Sequence, residues 1–304
     1  MIGAIEYFFF SVLSWTAQQL PFKVVGKCGR WLGGMVFVCT TFRKAVTLEN
    51  LRLAFPTLTE REIRKIALGA FRNYGTAMLE MLWAENKEPA ALMPKVRIAN
   101  LEVFEHAFSL GRGLILLSAH YGNWEFLVSA LRLHSGQPFS MIVQLQQNTK
   151  IDARITQMRS RFGNSTIPMG PSVREVITTL KEGRVVLMLG DQSGSRESVF
   201  VDFFGRPAAT RRGPAAFCLK TGSPVIMVFL VRQPDGSYVA TFEDVDMTGL
   251  EQDNEENVVE LTRRHTAILE EHVRLHPEHW LWMHKRWKHT AYHEAIAPVE
   301  GLTE

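Results

Sequence analysis

Three cysteines among 304 residues, Cys28, Cys39 and Cys218, are too few for a disulfide framework, and none has zinc-finger spacing. A reducing compartment is the simple reading. A strong charge of either sign is also missing: 34 Lys+Arg stand against 31 Asp+Glu, a net of +3, which is not the profile of a nucleic-acid binder. Internal repeats and low-complexity linkers are absent. With 46% hydrophobic and 21% charged residues, the composition excludes intrinsic disorder, a collagen-like chain and a polytopic membrane protein. Familiar catalytic signatures are missing too. There is no G-x-S-x-G elbow, no P-loop and no H-E-x-x-H, and Gly111-Arg112-Gly113 precedes an apolar run instead of following a strand, so it is no dinucleotide fingerprint.

What is present begins with an apolar leader. Residues 2–22 (IGAIEYFFFSVLSWTAQQLPF) are mostly apolar, with Glu6, Gln18 and Gln19 as interruptions, and the aromatics Tyr7, Phe8, Phe9, Phe10, Trp15 and Trp31 suit a membrane interface. Residues 1–55 carry six bases and two acids, a net of +4, so the remaining 249 residues sum to −1. The bases follow the apolar run, which disfavours a cleaved signal peptide and puts the body on the cytoplasmic side of the membrane. Residues 1–44 are therefore expected to be a hydrophobic membrane-anchor region, either a single span or an in-plane anchor, and residues 45–304 a single domain. The competing reading is a hydrophobic first helix packed on the core.

Past the leader, residues 45–55 have helical spacing and Pro56 stops them. Thr59 with Glu62 predicts a capping box that opens a long helix over 60–84. From residue 113 the pattern changes. Apolar strand-like runs at 113–119, 139–143, 184–189, 199–204, 224–231 and 238–245 alternate with helical stretches, whereas 56–110 reads as a helical preface. Such alternation predicts an α/β fold with a largely parallel central sheet flanked by helices.

Ligands in such sheets sit at the carboxyl ends of strands. The run 113–119 ends in Ser118-Ala119-His120-Tyr121-Gly122-Asn123-Trp124-Glu125. Gly122 permits a tight turn, Asn123 suits an N-cap, and across such a junction His120 and Glu125 can converge as an imidazole–carboxylate pair that deprotonates a hydroxyl. The plainer alternative makes Glu125 a favourable first-turn acid and His120 a satisfied buried histidine. Asp191 and Gln192 lie in Gly190–Gly194 after the run 184–189; Asp191 suits holding a base or a substrate hydroxyl, or simply a turn. Arg206, Arg211 and Arg212 suit phosphate binding or a solvated basic loop, and Arg159 and Arg161 have the same two readings. The segment 279–289 interleaves three tryptophans with bases, which suits either an anionic lipid surface or a segment packed across the domain. No serine or cysteine nucleophile stands out, so direct acyl transfer to a bound hydroxyl is favoured over an acyl-enzyme.

Together NLRLAFP at 50–56, SAHYGNWE at 118–125, GDQSG at 190–194, VFVDFFGRPAATRRGPAAFCLKTGSPV at 199–225 and HPEHWLWMHKRWK at 276–288 resemble the bacterial lipid A biosynthesis acyltransferases of the glycerolipid acyltransferase superfamily. The resemblance runs through nearly the whole chain. It puts the family's H-x-x-x-x-[DE] dyad on His120 and Glu125, its downstream arginine on Arg159 or Arg161 with Arg159 preferred, and its acidic turn on Asp191. Pro224 matches a late structural proline, and Lys285 departs mildly from the closing W-x-W-x-H-R-R-W pattern. The resemblance implies a glycerolipid acyltransferase-like fold at the cytoplasmic face of the cell inner membrane. It implies fatty acyl transfer from acyl carrier protein to a hydroxyl of a glycolipid acceptor, with inner-membrane lipids as partners and without a cofactor. On this basis His120 is the expected general base, oriented by Glu125, with Arg159 as oxyanion stabiliser and Asp191 as a positioning group. Asn123, Arg161, Gln192, Arg206, Arg211 and Arg212 are the expected substrate-binding residues. Related members acylate phosphatidylinositol mannosides, and a hydrolase or thioesterase that uses the same dyad, or a lipid-binding protein without activity, are the alternative functions. A metal held by His120, Glu125 and Asp191 ranks low, since no further His or Cys lies at ligand spacing.

Overall fold

The computed structural model describes residues 2–170, 172–195, 198–291 and 293. Residues 294–304 of the expected domain lie outside the described set. The chain opens with three helices, α1 (Ile2–Gln19), α2 (Phe22–Cys39) and α3 (Phe42–Ala54), followed by the long α4 (Glu60–Ala84) and a single turn α5 (Pro89–Leu92). The predicted capping box is present: the Thr59 hydroxyl accepts from the Glu62 amide, and the Glu62 carboxylate accepts from the Thr59 amide at 2.8 Å. Helix α2 lies close against α4 because glycines line the contact. A Cβ on Gly33 would stand 2.1 Å from the Phe71 carbonyl oxygen, so no larger residue fits there without separating the helices.

The α/β region then runs β1 (Val96–Ile98), α6 (Leu101–Ser109), β2 (Leu114–Ser118), α7 (Trp124–Ser135), β3 (Phe139–Val143), α8 (Thr149–Arg159), β4 (Ser165–Pro168), α9 (Val173–Lys181) and β5 (Val185–Leu189). It continues with β6 (Val199–Asp202), β7 (Pro207–Thr210), α10 (Gly213–Thr221), β8 (Val225–Arg232), β9 (Tyr238–Asp244) and α11 (Glu255–Leu275). Seven strands form one sheet in the order β1-β9-β8-β2-β5-β3-β4, and every pairing is parallel except β8 with β9. Two details differ from the sequence reading. The preface contains β1, which joins the sheet beside β9, and the run at 199 leaves the sheet to pair with β7 as a separate antiparallel ribbon. The first was hidden by its brevity, and the second by the fact that period-2 patterning does not name a strand's partner.

The sheet is buried on both faces, as continuous apolar strands require. Ile115, Leu117, Val186, Met188 and Phe229 face one core, which also takes in α9, α10, α11 and the tryptophans Trp280, Trp282 and Trp287. Leu114, Leu116, Val185, Leu187 and Val228 face the other, with α6 and α7. Helix α4 contributes Ile63, Ala67 and Ala70 to the first core and Leu79, Leu82 and Trp83 to the second.

Among the described residues no helix is long and apolar enough to cross a membrane. The single-span form of the expected anchor is therefore corrected: the leader is two 18-residue helices broken at Leu20–Pro21. Polar side chains of α1 also tie it to the body. Ser11 and Ser14 accept from Arg154, whose guanidinium holds Glu85 at 2.5 and 2.7 Å, and Gln18 donates to the same carboxylate at 2.8 Å.

Candidate active site

Strands β2 and β5 are parallel neighbours in the register Ser118↔Leu189. His120 and Asp191 each follow their strand end by two residues, so the register sets them side by side. The Asp191 carboxylate is buried (3% exposed) and accepts three hydrogen bonds: from His120 Nδ1 at 2.8 Å, from the His120 amide at 3.1 Å and from Trp280 Nε1 at 2.9 Å. Burial alone pushes His120 down, but the charge and hydrogen bond of Asp191 outweigh it and hold the imidazole above its ordinary range. The same pairing holds Asp191 below the usual carboxylate range against the opposing effect of its burial. The other ring nitrogen, Nε2, lies 3.4 Å from the Gln192 amide nitrogen.

Gly122 makes the turn after His120 possible. Its φ is +60°, and a Cβ there would fall 1.7 Å from the Leu230 carbonyl oxygen. The turn is pinned from behind by the segment after α11: Gly122 N–H donates to the His279 carbonyl at 2.9 Å, and Leu281 N–H donates to the His120 carbonyl at 3.0 Å. Asn123 caps α7, its Oδ1 accepting from the Phe126 amide at 3.1 Å.

Glu125 then lies in the first turn of α7, as expected, but it does not bond to the imidazole. Its carboxylate takes a two-point contact from Arg159, with Nε at 3.0 Å and Nη2 at 2.5 Å, and accepts from Trp124 Nε1 at 3.2 Å. The orienting carboxylate of His120 is thus Asp191, because parallel strand ends put it on Nδ1 whereas the first helical turn carries Glu125 toward α8. His120 and the Glu125–Arg159 pair line one cavity of about 930 Å³, and Asp191 is buried beside the imidazole. Its remaining wall is largely apolar and includes Val128, Met141, Val143, Ile167, Val176 and Leu187.

Of the residues expected to bind substrate, Gln192, Arg211 and Arg212 line this cavity, and Arg212 is paired with Glu255 at 2.6 Å on the exposed rim. The other three are not brought there. Asn123 is fully buried, with its amide engaged by the protein, so its expected substrate contact is corrected to a helix cap. Arg161 spends its guanidinium on the carbonyl oxygens of Ala84, Glu85 and Lys87, where it satisfies the end of α4. Arg206 is exposed in the turn between β6 and β7.

Sequence reading missed two members of the site. Trp280 donates to Asp191, and His284 Nε2 accepts from the Ser193 amide at 3.1 Å, which fixes the loop that carries Asp191 and Gln192. Burial holds His284 down at about 4, in the neutral form that can accept. Their signal was the closing W-x-W-x-H pattern, which the two readings of segment 279–289 left undecided. The structure buries Trp280, Trp282, Arg286 and Trp287, so the packing reading holds and the lipid-surface reading does not.

His120, Glu125 and Asp191 do not form a ligand cluster. Among the described residues, the His/Cys/Asp/Glu group with ligand atoms close enough for an ion, within 4.8 Å, is His276, Glu278 and His279, none of which lines the cavity.

Known proteins are similar to this chain in sequence over most of its length. The chain is 26% identical over 276 residues to the lipid A biosynthesis palmitoleoyltransferase of Escherichia coli K12, covering 90% of this chain and 88% of that protein. It is 25% identical over 277 residues, with the same coverages, to the lipid A biosynthesis lauroyltransferase of that organism. A phosphatidylinositol mannoside acyltransferase of Mycobacterium tuberculosis is 21% identical over 225 residues, 73% of this chain and 69% of that protein. The family model for bacterial lipid A biosynthesis acyltransferases matches residues 3–289, and the chain belongs to that family.

Proposed function

We propose that the protein transfers a fatty acyl chain from an acyl carrier protein thioester to a hydroxyl of a lipid A precursor, at the cytoplasmic face of the inner membrane. The observation that carries this reading is an imidazole fixed in the wall of a largely apolar cavity, with Nδ1 on a buried carboxylate and Nε2 beside a cavity-lining amide. Ionised Asp191 accepts from Nδ1, so neutral His120 keeps its proton there and its lone pair on Nε2. An acceptor hydroxyl at Nε2 loses its proton to the ring as its oxygen attacks the thioester carbonyl. The tetrahedral adduct collapses, the C–S bond breaks, and the imidazolium returns the proton to the departing sulfur. Asp191 stabilises the imidazolium, as the third member of a catalytic triad does. The Gln192 amide and the positive charge of Arg159 serve the oxyanion, and Glu125 holds that arginine in place. Arg211 and Arg212 offer cations to anionic groups of the substrates. A thioester is already activated, so this chemistry needs no metal.

Membrane attachment fits an in-plane mode. Phe8, Phe9 and Trp15 of α1 and Trp31 of α2 are each more than 60% exposed, and Lys23, Lys27 and Arg30 are exposed beside them in sequence. Apolar side chains flanked by bases suit an anionic leaflet. The cavity wall reaches the same region: Asn148, one of its lining residues, donates to the Gly3 carbonyl of α1 at 2.8 Å.

Mass spectrometry of glycolipids from a deletion strain tests the function. The expected lipid A species is lighter by one acyl chain, and it is restored by the wild-type gene but not by His120→Ala. An unchanged lipid A profile, with a lighter phosphatidylinositol mannoside or altered free fatty acid instead, sinks the lipid A assignment. Restoration by folded His120→Ala sinks the base assignment.

A further inference from the structure

A second buried carboxylate lies behind the site and takes no part in the chemistry above. Glu80, near the C-terminal end of α4, is fully buried. Its Oε1 accepts from Arg232, and its Oε2 accepts from the Tyr238 hydroxyl at 2.5 Å and from Asn123 Nδ2 at 2.9 Å. Burial pushes the Glu80 carboxyl above its ordinary value, an effect that Arg232, Tyr238 and Asn123 counter only in part. A buried ion pair is a poor way to add stability, because an apolar pair of similar volume often serves as well. Its distinguishing property is direction.

The direction matters at Asn123. A side-chain amide has a donor end and an acceptor end, and it can be turned over by half a rotation. A carboxylate can only accept, so Glu80 takes the donor end and leaves Oδ1 for the Phe126 N–H at 3.1 Å. Turned over, the amide would set donor against donor at the start of α7 and remove its cap. The first turn of α7 is Trp124 and Glu125, the residues that touch His120 by ring contact at 5.2 Å and hold Arg159.

We propose that Glu80 is a positioning residue for acyl transfer: by fixing which way the Asn123 amide faces, it sets the first turn of α7 and hence the placement of the Glu125–Arg159 pair beside His120. The proposal rests on the His120-centred reading above.

The test uses the full chain, lauroyl-acyl carrier protein and a lipid A precursor. In Glu80→Gln the carbonyl end of the new amide goes to Arg232, so its NH2 meets the Asn123 NH2, which keeps only its longer contact to the Tyr238 hydroxyl at 3.4 Å, and the cap is weakened. The expected result is a kcat lower by about 10- to 100-fold, the scale of a small misplacement of catalytic groups, with KM within about threefold of wild type. Amide hydrogen exchange over residues 124–127 should quicken at the same time. The reciprocal swap Glu80→Gln with Asn123→Asp restores a donor facing an acceptor, keeps an N-cap acceptor and leaves the charge of the buried cluster unchanged. It should return kcat to within about threefold of wild type. Asn123→Asp alone sets two carboxylates face to face and should lose kcat likewise, and it serves if Glu80→Gln does not fold. Unchanged kcat in either folded single variant overturns the proposal, as does a folded double variant that is as slow as the singles. The base reading fails separately, through full activity of His120→Ala, and a dead His120→Ala beside a fully active Glu80→Gln removes the positioning role alone.

Discussion

At the scale of single residues, the site consists of two carboxylates with different partners. Asp191 sits on the imidazole and Glu125 on a guanidinium. For a base, the neutral ring is the working form, so activity rises with pH through the His120 pKa. Asp191, and more weakly Glu125, raise that pKa, while burial and Arg159 lower it. Asp191→Asn removes the largest raising influence and keeps the burial. Its acid limb in kcat/KM should therefore move to lower pH, while the plateau falls by about 10²- to 10⁴-fold because the tautomer is no longer enforced. A pH–rate profile checks both parts, and a limb that stays in place contradicts the pairing. The residue types were readable in the sequence, since His120, Glu125 and Asp191 all stood out. Their pairing was not, because it depends on β5 lying beside β2, and five residues of sequence separation made Glu125 look like the natural partner.

At the scale of elements, α1 has two unlike sides. One carries Ser11, Ser14 and Gln18 into the Arg154–Glu85 network, and the other exposes Phe8, Phe9 and Trp15. Replacing Phe8, Phe9 and Trp15 together by serine leaves the polar tie intact and removes the apolar contact. Each large aromatic is worth about 1.5–3 kcal/mol when taken out of water. Binding to anionic phospholipid vesicles should fall by at least about tenfold per residue, while the unfolding temperature stays near that of wild type. Vesicle sedimentation with a thermal melt decides this, and undiminished binding of the triple variant removes α1 from the membrane contact. Composition made the leader's greasiness plain, but not the tie of α1 to the body through Ser11, Ser14 and Gln18. Their partners, Glu85 just after α4 and Arg154 on α8, lie about 70 or 140 residues away, beyond any local pattern.

At the scale of the whole molecule, strand order determines which side chains line the cavity. Most helix and strand spans were legible from periodicity, and the α/β alternation foretold the sheet, but nothing local orders the strands as β2-β5-β3-β4. That order gives the cavity its direction. Along that order the cavity is lined by His120 after β2, Leu187 and Met188 of β5, Met141 to Val143 of β3, Ile167 of β4 and Val176 of α9. Three strand steps span about 14 Å, the reach of a medium-length fatty chain. If the chain lies along this path with its thioester at His120, its methyl end reaches Ile167 and Val176, both almost fully buried. Val176→Phe then shortens the far end without touching the ion pairs. The transferred chain should become shorter by about two or more methylenes, since a packed wall admits no extra volume, while the rate with the shorter donor stays close to wild type. Mass spectrometry of the product glycolipid, with acyl carrier protein loaded with chains of graded length, reads the shift. A variant that loses rate equally for every chain length would mean that the far end of the cavity does not measure the chain.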